Sequence, residues 1–207
     1  MGCCHSKKAT AWEPSEVVTT KYGKLQGKRL VDEATLQGPV DVFLGVLFAA
    51  APVGQLRFKK PEPPSSWTGI RKATKWGPIP IQGEFILKNK QRPKPSEDCL
   101  QLNVFAPTWK SESPSGFPVL VFIHGGGFSM GNAFDYGDEN ICRTLTNKNV
   151  IVVTIQYRLG FLGFWYTGDK CIPGNLGLWD QTAALQWIQD NIESFGGDKG
   201  RPFLLHP

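Results

Sequence analysis

The chain has 207 residues, enough to bury a sizeable core as one ordinary domain or as part of a larger one, and its 41% hydrophobic and 20% charged content is that of a soluble globular protein. The net charge of +5 sits in the first half: residues 1–98 carry 16 Lys/Arg against 9 Asp/Glu, residues 99–207 carry 7 against 9. No dense Lys/Arg run is interleaved with aromatics, so nucleic acid is not indicated, and neither a membrane span nor the apolar core of a signal peptide is encoded.

The basic half is compatible with an acidic membrane surface, and equally with an evenly solvated basic face. Five cysteines (Cys3, Cys4, Cys99, Cys142, Cys171) are odd in number and irregular in spacing, which suggests neither a disulfide framework nor a metal site. His5, His124 and His206 lie far apart, which also argues against metal.

In chain order, Met1–Lys8 is MGCCHSKK. Loss of Met1 leaves Gly2 with Ser6 four residues on, the pattern for N-myristoylation, and places Cys3 and Cys4 for S-palmitoylation. One acyl chain anchors only marginally while two anchor stably, and Lys7 and Lys8 add charge for anionic lipid. Residues 16–31 alternate as a hairpin with turn signals at Gly23 and Gly27; Val42–Ala51 reads as a strand, followed by irregular Pro-rich chain and a basic loop over Gly83–Ser96. Leu100–Ala106 is a further strand. Phe117–Gly131, FPVLVFIHGGGFSMG, reads as an apolar strand (Val119–Ile123) running into His124 and three glycines. Asn140–Asn147 reads as a short helix and Val150–Gln156 as a second apolar strand. Leu178, Ala183, Leu185, Ile188, Ile192 and Phe195 give Leu178–Phe195 the period of an amphipathic helix, stopped by Gly196 and Gly197. Hairpins first, then strands alternating with helices, imply an α/β sheet with an antiparallel edge.

The glycine cluster fails the dinucleotide pattern, because Met130 stands at its last position, and the P-loop pattern, because Asn132 stands where Lys is required. It fits the HGGG-type loop of lipases and esterases, whose backbone N–H groups stabilise the oxygen that turns negative in ester hydrolysis. Each such donor is worth about 2.7–4 kcal/mol.

From about Val17 to Asp198 the chain resembles the type-B carboxylesterase (cholinesterase-like) family. The resemblance rests on FLGVLFAAAPVGQLRF (43–58), SEDCLQLNVFAP (96–107), FPVLVFIHGGGF (117–128), VIVVTIQYRLGFLGF (150–164) and GNLGLWDQTAALQWIQDNIESFGGD (174–198). It implies the N-terminal part of an α/β-hydrolase fold and, in a full-length form, hydrolysis of small-molecule carboxylic esters by a Ser–Glu–His triad without a cofactor. Gly126 and Gly127 match the family's two oxyanion donors from this loop, and Arg57 and Glu97 match a structural ion pair. His124 matches a packing or loop-orienting position.

Three departures qualify the resemblance. In the family FGGD leads into a short strand and the nucleophile elbow G-x-S-x-G, whereas here Asp198 is followed by KGRPFLLHP. The elbow is read as absent, with no serine standing in a G-x-S-x-G context: Ser129, in GGFSMG, is taken to supply neither elbow nor base, and His206 lies outside every matching segment. Family members pair the Cys of SEDC with an upstream Cys, but Pro80 stands there, which agrees with a reducing setting. Residues 82–98 hold Phe85 but no Trp, so choline-ester specificity is unsupported.

The expectation is an acylated segment (1–15), the N-terminal part of a carboxylesterase domain (16–198) and a divergent tail (199–207), on the cytoplasmic face of a membrane and inactive as it stands. The alternative is a non-catalytic membrane-associated binding module on the same fold. The strand at Val119–Ile123 is expected to have one open, apolar edge, an aggregation hazard that a protein partner would relieve.

Overall fold

A computed structural model describes residues 11–83, 92–169 and 171–205. Gly2, Cys3, Cys4, His5, Phe85 and His206 lie outside the described residues.

An eight-stranded mixed sheet runs in the order β1-β2-β3-β5-β7-β6-β8, with β4 beside β2. β1 (Ala11–Thr19), β2 (Lys24–Val31) and β3 (Val40–Leu47) are antiparallel neighbours, and β3 passes the sheet to β5 (Gln101–Pro107) and β7 (Ile151–Ile155), also antiparallel. β6 (Phe117–Ile123) then pairs parallel with β7 on one side and β8 (Gly197–Leu205) on the other. The three-residue β4 (Ile70–Lys72) was not legible in the sequence.

β7 is five residues long and buried throughout, which suits its β-branched sequence IVVTI: both of its faces are covered. One face joins Val119, Val121, Ile123 and Val153 to α3 (Leu176–Asn191) through Ala184, Trp187 and Ile188. The other joins Val42, Phe105 and Val152 to α1 (Asp138–Thr144) through Ile141 and Cys142. Each fully buried aliphatic side chain contributes about 1.5–3 kcal/mol. A short α2 (Gly160–Phe164) lies between β7 and α3.

The structure corrects several expectations. The hairpin turns at Thr20–Gly23, while Gly27 lies within β2, where a Cβ would come 2.3 Å from the Val42 carbonyl oxygen. The long helix starts two residues earlier, at Leu176, and its buried face is phased differently. Leu176, Asp180, Ala184, Trp187, Ile188 and Asn191 are buried, whereas Leu178 is 42% exposed and Ala183 and Leu185 are half-buried. Its last turn, Ile192–Phe195, tightens to a 3-10 helix closed by Gly196 at φ 84°.

β1 begins at Ala11, and the tail from 199 lies within β8. The edge of β6 is therefore paired, not open: Leu120 lies opposite Phe203, Val121 opposite Leu204 and Phe122 opposite Leu205. Between Gly197 and Pro202 the tail bulges, tied back by Ser115 Oγ donating to Asp198 (2.6 Å) and by the Gly200 N–H to Asp198 (2.8 Å). The unpaired edge moves outward to β8, whose Phe203, Leu204 and Leu205 are 58%, 59% and 45% exposed.

Candidate functional site

The glycine loop starts where β6 stops. His124 is buried, its ring stacked on Tyr157 at 4.6 Å, with Nδ1 3.1 Å from the Gly125 carbonyl. The Tyr157 hydroxyl donates to the His124 carbonyl at 2.9 Å, fixing the last residue before the glycines. Burial pushes the Tyr157 phenol up, so it stays a neutral donor.

Gly126 and Gly127 take φ of +120° and +60° and are both exposed. Among the described residues neither N–H donates a hydrogen bond to the protein. The Gly126 carbonyl accepts from the Ser129 and Met130 amides at 3.1 and 3.2 Å, turning the chain back on itself. A Cβ on Gly126 would sit 2.1 Å from the Met130 carbonyl oxygen, while one on Gly127 would meet nothing within 4 Å. The first glycine is thus required by the loop's own backbone and the second opens onto free space. Two exposed amides with no internal acceptor are suited to an anionic oxygen.

By letter, Gly127–Gly131 (GFSMG) does spell G-x-S-x-G, contrary to the reading that no serine stands in that pattern. The geometry shows why it is not an elbow. An elbow serine sits on a strained strand-to-helix turn. Here the non-glycine residue with positive φ is Phe128 (59°), and the Ser129 hydroxyl donates to the Gly127 carbonyl (3.1 Å) instead of to a base.

Arg57 Nε lies 2.7 Å from Glu97 Oε2 beside the Pro-rich span; both side chains reach solvent. Cys99 is a free, buried thiol whose pKa is pushed far up by burial, with Pro80 also buried. Burial likewise pushes the Cys142 thiol up to about 12. Among the described residues no group of three or more His, Cys, Asp or Glu could hold a metal ion, and no helix is long and apolar enough to cross a membrane.

Two features next to each other in the chain after β7 went unread in the sequence. Tyr157 is one. The other is a buried ion pair that starts from the next residue: Arg158 Nε and its backbone N–H donate to Asp180 Oδ2 at 2.8 and 3.0 Å, and its Nη2 to Oδ1 at 2.7 Å. Desolvation pushes the Asp180 carboxyl up, and the Arg158 guanidinium opposes that. An arginine at the end of an apolar strand followed by an aspartate in an apolar helix was the available signal, since buried charges must be paired.

The class defined by this sheet and loop is an esterase scaffold of the α/β-hydrolase type. The chain belongs to the Carboxylesterase family, whose model matches residues 14–204. It is 45% identical over 204 residues to Carboxylesterase 1E of Mus musculus, and 46% identical over 198 residues to a medium-chain fatty acyl-CoA hydrolase precursor of Anas platyrhynchos. These alignments cover 93% and 91% of this chain but 35% and 34% of the relatives, so the chain spans about a third of their length. Among solved structures, PNB esterase superposes with a TM-score of 0.80 at 40% identity, covering 92% of this chain and 38% of its own.

Proposed function

We propose that these residues form the oxyanion-loop part of a carboxylic ester hydrolase, with Gly126 and Gly127 as two of its oxyanion donors, and that the 207-residue chain by itself does not hydrolyse esters. The observation that carries this is the pair of exposed, unbonded glycine amides at the end of β6 in a chain of this family. In a longer chain continuing into a nucleophile elbow, a serine would attack the ester carbonyl, a histidine would carry its proton, and these amides would hold the negative oxygen. Ser129, the serine of the loop, is not placed to become an alkoxide: its hydroxyl donates to the Gly127 backbone carbonyl. A fluorophosphonate probe, which labels activated serines, is expected to leave the purified chain unmodified. Labelling of Ser129 would overturn the inactivity.

The N-terminal run MGCCHSKK supports a lipid-anchored location on the cytoplasmic face of a membrane. Cells fed alkynyl myristate and palmitate are expected to label the chain, and Gly2→Ala to abolish both labels and release it from membranes. A soluble, unlabelled wild-type chain would contradict this. Exposed apolar residues on β8 favour, as a second reading, a binding module whose partner covers that edge. Its sign would be one stoichiometric partner lost on substitution of Leu204.

A further inference from the structure

The glycine loop is held in place from the residue stretch after β7, from the first residue of α2 and from one distant side chain. Tyr157 grips the entry, and the Gly160 N–H donates to the Phe128 carbonyl at 2.7 Å. Gln82 reaches in from the segment between β4 and β5, 49 residues away in sequence. Its Oε1 accepts from the Gly131 N–H at 2.9 Å, and its Nε2 donates to the Gly131 carbonyl at 3.0 Å and lies 3.2 Å from the Pro80 carbonyl. The amide's orientation is fixed, because exchanging O and N would set donor against donor at Gly131 and acceptor against two carbonyls. Gly131 is itself at the neck of the loop: a Cβ there would come 2.4 Å from the Gly125 carbonyl oxygen and 2.6 Å from His124 Nδ1. Where Gly131 lies therefore sets how the chain returns past Gly125, and hence the turn from Gly126 to Met130.

We propose that Gln82 is a positioning residue for the oxyanion loop: its carboxamide, bonded both ways to Gly131, closes the neck and fixes where the Gly126 and Gly127 amides stand. This rests on the oxyanion reading of the loop for its functional meaning, but its geometry can be tested without ester. Only a neutral primary amide of this length meets the requirement. Methionine has nearly the same shape and none of the bonds. Glutamate in its ionised form keeps the acceptor for the Gly131 N–H but turns a second acceptor toward two carbonyls.

The test is solution NMR on the 207-residue chain with Gln82→Met and Gln82→Glu. In Q82M the Gly126 and Gly127 amide resonances are expected to move, and the Ser129, Met130 and Gly131 amides to exchange about tenfold faster, while β6 and β7 amides keep their protection. In Q82E the Gly131 carbonyl resonance is expected to move while its amide proton stays hydrogen-bonded, a bond-by-bond signature that loss of packing would not produce. Wild-type loop resonances in Q82M, or an equal speeding of every amide, would overturn the proposal. Should Q82M not fold, Q82E decides: displaced Gly126 and Gly127 resonances support it and unmoved ones refute it. Ester hydrolysis by the unaltered chain would refute the inactivity proposed above and leave this clamp standing; an unaltered loop in Q82M would do the reverse.

Discussion

At Gly126 two demands coincide. The loop can turn only if no Cβ meets the Met130 carbonyl, and the exposed amide can serve an oxyanion only if nothing inside the protein uses it. Arg158 and Asp180 carry a different burden, since both are charged and almost wholly inaccessible, at 4% and 0% side-chain exposure. Removing one partner of such a pair costs about 3–5 kcal/mol, because the other charge is left buried and alone. Asp180→Asn and Arg158→Met are each expected to lower the unfolding free energy by that amount, whereas Arg57→Met, at a surface pair, should cost about 0–1 kcal/mol. Chemical denaturation measures all three; equal losses would contradict the distinction.

At the scale of elements, β6 and β8 make the site possible and the product fragile. β6 points the glycines out of the sheet, and β8 covers the flank of β6 that the sequence suggested was bare. The reason the tail was misjudged is physical. A strand of this kind takes its place from a neighbour's backbone, and GDKGRPFLL carries a bulge that hides any simple alternation. The helix phase was misjudged for a related reason: polar Asp180 and Asn191 face inward because Arg158 and the Lys21 backbone bond them, so apolar letters alone set the wrong face. By contrast β6, β7 and the glycine loop were legible, because a buried parallel strand is apolar throughout and a positive-φ loop demands glycine. Having gained a partner for β6, the sheet exposes β8 instead. Leu204→Lys, at a 59% exposed position, is expected to slow aggregation severalfold in light scattering without lowering the melting temperature. Unchanged aggregation would show that the edge is not the hazard.

For the whole molecule, acid should loosen the fold in a definable window. Hydrogen bonds hold four carboxyls below their ordinary range: Asp32 through Arg143 and Thr35, Asp169 through Thr167 and the Cys171 N–H, Asp190 through Lys21 and Gln186, and Asp198 through Ser115 and the Gly200 N–H. A carboxyl with a lower pKa folded than unfolded adds stability above its unfolded value and loses it as pH falls through the folded one. The melting temperature is therefore expected to change little from pH 5 to 7 on their account and to drop below about pH 4, and Asp198→Asn should flatten part of that drop. A melting curve indifferent to acid would contradict the role given to these bonds.

Family membership was legible in the sequence because several segments occur in order, each far more specific than HGGG alone; Tyr157, Gln82 and the Arg158–Asp180 pair were not, since their roles depend on which chain segments meet. Tyr157 and Gln82 hold the glycine loop in a chain that spans about a third of the length of its relatives. The most direct test is hydrolysis of a short-chain aryl ester by the purified 207-residue chain, beside a Gly126→Asp, Gly127→Asp double variant and Ser129→Ala. All three are expected to give the same rate, that of the solvent background. A wild-type rate above that of the double variant would contradict the account.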